Sequence, residues 1–145
     1  MIKPEKLVES KIRGWCLQNR IWVEIFDSKA VFSKASGHYK RNQGLRVGCP
    51  DMLGLNSQGL FVAIELKAPG KESVCSLEQW QFLERVIQQN GFGVVCSSVE
   101  SLDCLYQEWL SKRDPLLLLN ALPKKVYITV NKKKKVIPAP SIQQP

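Results

Sequence analysis

The stretch from Gly48 to Lys67, GCPDMLGLNSQGLFVAIELK, places two apolar runs on either side of NSQG (56–59). Turn residues of that kind between apolar runs predict a hairpin of strands DMLGL (51–55) and LFVAIELK (60–67). With the turn centred near residue 58, Asp51 and Glu65 each lie seven residues from it and fall opposite one another. Directly opposed residues of an antiparallel pair sit about 4.5–5.5 Å apart. Side chains alternate along a strand, so Phe61, Ala63, Glu65 and Lys67 share one face, and Val62, Ile64 and Leu66 share the other.

One face of the hairpin therefore carries two opposed carboxylates and an amine at the edge of an apolar segment. Burying a charge is costly unless something pairs with it. Two acids this close repel, and without a cation one of them takes up a proton. A divalent metal removes the conflict and takes oxygen ligands. Lys67 can orient or help deprotonate a water, or steady charge on a phosphate. The backbone carbonyl of Leu66 is a further candidate ligand. Pro50 stiffens the entry to the first strand, and Gly48 allows close passage of the backbone.

Working outward, residues 4–19 read as a helix with Pro4 in its opening turn and Val8, Ile12, Trp15 and Cys16 on one stripe. Glu9 falls on the flank of that stripe, where it is either a third carboxylate or a solvated side chain. IWVEIF (21–26) reads as a strand. Residues 27–46 are polar, basic and punctuated by glycine, a long loop or ragged hairpin. A helix follows over 76–91, with Ser76 and Gln79 as a capping box, an apolar stripe of Trp80, Leu83 and Ile87, and Gly91 as its stop. FGVVC (92–96) is a short buried strand. Ser98 caps a last helix to Arg113, with Leu102, Leu105, Tyr106 and Trp109 facing inward. The order α-β-β-β-α-β-α predicts an α/β fold, a mixed central sheet flanked by helices.

The GxPD at 48–51, the ExK at 65–67 and the glutamine at the start of the next helix occur in order over residues 7–105. That region resembles the PD-(D/E)xK nucleases and, within them, the VRR-NUC (virus-type replication-repair nuclease) domain. The resemblance implies a restriction-endonuclease-like core and a Mg2+- or Mn2+-dependent phosphodiesterase. Catalysis would fall to Asp51, Glu65, Lys67 and Gln79, and metal binding to Glu9, Asp51, Glu65 and the Leu66 carbonyl. Gln79 also has a structural role as the N3 residue of its capping box. The expected domain is 1–113, followed by a basic, partly disordered extension over 114–145.

Of the formal net charge of +8, residues 112–145 carry eight basic side chains against one acidic. Within the domain, Lys34, His38, Lys40, Arg41 and Arg46 form a basic stretch suited to phosphate contacts, which position DNA without reading bases. Lysines 132–135 either add nonspecific affinity or are simply solvated. The leucine run 116–122 either packs on the core or presents a partner surface. No apolar run approaches the ~18 residues of a membrane span. The polar N-terminus does not read as a secretory signal, which points to the cytoplasm. Five cysteines without a CxxC pair read as free thiols.

The resemblance further implies a structure-selective DNA endonuclease acting on branched or junction DNA in repair, recombination or phage replication. A bacterial or phage origin and a homodimer are expected with it. A sequence-specific restriction-type enzyme and an inert nucleic-acid-binding module on a nuclease core are the alternatives.

Overall fold

The computed structural model describes residues 2–26, 31–33, 38–40 and 47–142, with backbone placement alone at 31–33 and 38–40. Helix α1 (Pro4–Gln18) leads into β1 (Trp22–Ile25), followed by a short hairpin of β2 (Val31–Ser33) and β3 (His38–Lys40). Then come β4 (Met52–Leu55), β5 (Phe61–Leu66), β6 (Val74–Ser76), α2 (Leu77–Gln88), β7 (Phe92–Cys96) and α3 (Val99–Lys112). The chain continues through α4 (Pro115–Ala121), β8 (Lys125–Val130) and β9 (Lys133–Pro138).

The central sheet has the order β1-β4-β5-β7, antiparallel except for the parallel β5/β7 pair. Together with α1, α2 and α3, these strands follow the order anticipated from the sequence, in a mixed α/β arrangement consistent with a restriction-endonuclease-like fold. Val62, Ile64 and Met52 are fully buried, as are Ile12 of α1 and Leu102 of α3. Trp80, Leu83 and Ile87 of α2 are buried as their spacing requires. An aromatic cluster adds edge-on contacts, with the Tyr106 ring 5.1 Å from Trp15 and 5.0 Å from Phe92.

The leucine run contributes to this same core. Leu118, Leu119 and Leu122 are buried within it, so these three are not available to a partner. Val126 of β8 is also fully buried, and β8 pairs in parallel with β6 and antiparallel with β9.

The hairpin register pairs Met52 with Ile64 and Leu53 with Ala63, and extending it one residue sets Asp51 opposite Glu65. A single buried side chain pins the turn. The Asn56 carbonyl oxygen accepts from the backbone N–H groups of Gln58 and Leu60, both at 3.0 Å, and its amide donates to the Tyr106 hydroxyl at 3.3 Å. A one-residue slip would carry Glu65 to the opposite face. Asn56→Ala removes all three bonds, leaving the N–H groups of Gln58 and Leu60 unpaired and the buried Tyr106 hydroxyl without its donor. It should therefore cost about 2–3 kcal/mol, read as a denaturant midpoint lowered without a change in slope. An unchanged midpoint would mean that the flanking strands set the register alone.

Candidate active site

The loop into β4 passes tightly against the start of α2. Gly48 has φ +83°, and a Cβ there would lie 2.5 Å from the backbone carbonyl carbon of Glu78. Only glycine meets both conditions without strain. This approach brings the chain to Asp51, whose main-chain carbonyl accepts from the Phe26 N–H at 2.8 Å. Its side-chain Oδ2 accepts from the Leu66 N–H, also at 2.8 Å. The anticipated opposition across the hairpin is thus reinforced by a direct side-chain tie between the two strands.

Glu65 is 3% exposed. Its Oε1 accepts from the Gln79 side-chain amide at 2.8 Å and lies 3.8 Å from the Lys67 ammonium. Its Oε2 is buried without any hydrogen-bond partner. Burial pushes the Glu65 carboxyl up to about 9, and the Asp51 charge adds to the rise against the opposing pull of Lys67. The nearby ammonium does not prevail because Glu65 is far more deeply buried than Lys67, whose side chain keeps 18% exposure. Asp51 is also raised, by burial first. The Leu66 N–H opposes that rise, and the Glu5 charge adds to it.

Gln79 fills its capping position and also touches both Glu65 and Lys67. As N3 of α2 it completes the capping box: its N–H donates to the Ser76 hydroxyl at 3.1 Å, and its Oε1 accepts from the Ser76 N–H at 2.9 Å. The same Oε1 lies 3.4 Å from the Lys67 ammonium, while the amide nitrogen holds Glu65. Helix entry and site geometry are therefore set by one side chain.

Glu9 is half-buried and pairs with Lys6 at 3.5 Å. The α1 acid whose field reaches Asp51 is Glu5, one turn earlier on the same side of the helix. Its signal in the sequence was the i, i+4 spacing to Glu9 in the first turn. Cys49, just before Pro50, is a second neighbour not foreseen. Burial, then the charges of Glu65 and Asp51, hold it in the thiol form. Among the described residues, no group of three His, Cys, Asp or Glu side chains gathers at metal-binding distance.

His38 and Lys40 lie on β3, paired with Ser33 and Val31 of β2. Lys34, Arg41 and Arg46 fall outside the described residues. The cysteines are free, with Cys16, Cys49, Cys75 and Cys96 buried and Cys104 exposed. Among the described residues, no helix is long and apolar enough to cross a membrane.

No curated protein and no solved structure matches the chain. The family model described as the VRR-NUC domain matches residues 5–100, a span that takes in α1 from Glu5 onward, Asp51, Glu65, Lys67 and the capping glutamine. With that match over most of its length, the chain belongs to the VRR-NUC family of nucleases.

Proposed function

We propose that the protein is a metal-dependent, structure-selective DNA endonuclease, with Mg2+ or Mn2+ as its ion. The observation that carries this reading is the orphaned Oε2 of Glu65, buried opposite Asp51, with both carboxyls pushed up from their ordinary range. Hard oxygen donors in electrostatic conflict suit a small divalent cation. Asp51, Glu65 and the Leu66 carbonyl would hold it, with Glu5 or Glu9 supplying a further carboxylate from α1. When bound, such an ion supplies Lewis acidity toward a phosphate oxygen and an acidified water.

The chain's own residues do the rest. Gln79 orients Glu65 and Lys67 together. Lys67 offers its ammonium to the negative charge that builds on the phosphate, or to the water that attacks it. In the hydrolysis, water oxygen bonds to phosphorus, one P–O ester bond breaks, and the departing oxygen takes a proton. Selectivity for DNA structure follows from basic residues suited to phosphate contacts, which position a branched duplex without reading its bases. Cutting both strands of a duplex calls for two centres, which a homodimer would provide. We place this activity in the cytoplasm, in repair, recombination or phage replication.

A labelled panel of linear duplex, single strand, flap, splayed arm and four-way junction tests the reading, with Mg2+, Mn2+ or EDTA. Cleavage should need the metal, favour a branched member, and fall at least about 10²-fold in Lys67→Ala. Tight binding without cutting in any metal would identify an inert binding module instead.

A further inference from the structure

We propose that the ribbon formed by β8 and β9 is an arm that grips the phosphate backbone of the DNA beside the cleavage site. The inference rests on the nuclease reading for the identity of its polyanion. The root of the ribbon is fixed: Val126 is fully buried, Ile137 packs against the core, and the Ala139 N–H donates to the Lys124 carbonyl at 2.9 Å. The parallel pairing of β8 with β6 ends at Tyr127, opposite Ser76. Beyond that point β8 pairs with β9 alone, from Ile128–Lys135 to Val130–Lys133. Residues 129–136 are all exposed. At ~3.3 Å per residue, the ribbon runs roughly 13 Å past Tyr127 to its tip.

The tip reverses in a tight turn. Asn131 and Lys132 both have positive φ, 51° and 63°, as a two-residue hairpin turn matched to strand twist requires. Alternation along β9 puts Lys134 on the face of Tyr127, with its ammonium 4.5 Å from the ring centroid, and turns Lys133 and Lys135 to the other face. Both faces of the ribbon are thus basic. The chain has no acidic residue after Asp114, and among the described residues no carboxylate pairs with Lys132–Lys135.

Position links this charge to the chemistry. Ser76, the last β6 partner of β8, is also the N-cap of α2, and its capping partner Gln79 holds Glu65 and Lys67. The arm therefore leaves from the strand pair that anchors the site. A two-stranded ribbon fits a DNA groove, and lysines on both of its faces reach phosphates on either wall. The competing explanation is that lysines on β9, an edge strand, only deter strand pairing between molecules.

Fluorescence anisotropy of a labelled splayed-arm duplex, titrated with the full chain in EDTA from 50 to 200 mM NaCl, separates the two. Each phosphate contact contributes about 0.9 to the slope of log affinity against log salt. Replacing Lys132→Gln, Lys133→Gln, Lys134→Gln and Lys135→Gln together should flatten that slope by about 2–3 and weaken binding at least about tenfold at 100 mM. The fourfold Lys→Arg variant should keep the wild-type slope. If the glutamine set unfolds, Lys132→Gln with Lys133→Gln at the exposed tip should give about half the change. Equal slopes in wild type and glutamine variants would overturn the arm, and cleavage by the wild type in Mg2+ would then leave the nuclease reading standing. A flattened slope with no cleavage in either metal would support the arm and overturn the nuclease.

Discussion

Asp51→Asn is expected to lower the rate of metal-dependent cleavage at least about 10³-fold, equivalent to about 4 kcal/mol of barrier, while making the metal-free protein more stable. The two effects share one cause. The amide oxygen of the substituted side chain can still accept from the Leu66 N–H, so the tie between the strands survives. What disappears is a buried carboxylate charge and, with it, the proposed anionic ligand of the metal. Removing a carboxylate that burial disfavours should raise the metal-free melting temperature at pH 8 by roughly 3 °C, about 1 kcal/mol. Kinetics and calorimetry on the same preparation measure both. A variant that loses activity and also melts well below wild type would show Asp51 to be structural first. One that retains activity would remove it from the reaction.

The second large effect is the pH dependence of stability. The Glu65 carboxyl is raised in the folded protein from its ordinary 4.5 to about 9. Between those limits the folded state holds a proton that the unfolded chain has released. The resulting stabilisation is fully present below about pH 4.5 and is lost as pH rises through about 9. Metal-free wild type should therefore lose at least about 2 kcal/mol between pH 5 and pH 8 relative to Glu65→Gln, a gap of roughly 5 °C in melting temperature. Asp51, raised as well, acts in the same direction. Added Mg2+ should reverse the trend, raising the melting temperature more at pH 8 than at pH 5.5, because the ion must displace the proton. Parallel pH profiles for wild type and Glu65→Gln would show that Glu65 is ionised throughout and has another partner.

Both expectations concern carboxyls that are costly to bury. Ala63 and Ile64, fully buried beside Glu65, keep the carboxylate away from water. Gln79 satisfies one of its oxygens and leaves the other free. An apolar side chain in place of Glu65 would suit that environment better, a cost that the proposed metal ion would offset.

The amino-acid sequence by itself determined the local part of this arrangement. Turn chemistry at NSQG and strand alternation are short-range, so the register that sets Asp51 opposite Glu65 could be counted from the turn outward. The Ser76 capping box and the stripe of Trp80, Leu83 and Ile87 were legible for the same reason. The turn at Asn131 and Lys132 lay hidden within a lysine run, where charge obscured a hairpin that backbone geometry makes plain. Only the tertiary structure decided which groups those elements bring together. The reach of Gln79 to Glu65 depends on how α2 docks against the sheet, and the field of Glu5 at Asp51 depends on which turn of α1 lies nearest. Glu5 and Glu9 share a helix side, so periodicity cannot choose between them. The pairing of β8 with β6 joins Tyr127 to Ser76, far apart in sequence, through packing of Val126 and the α4 leucines that no local pattern encodes.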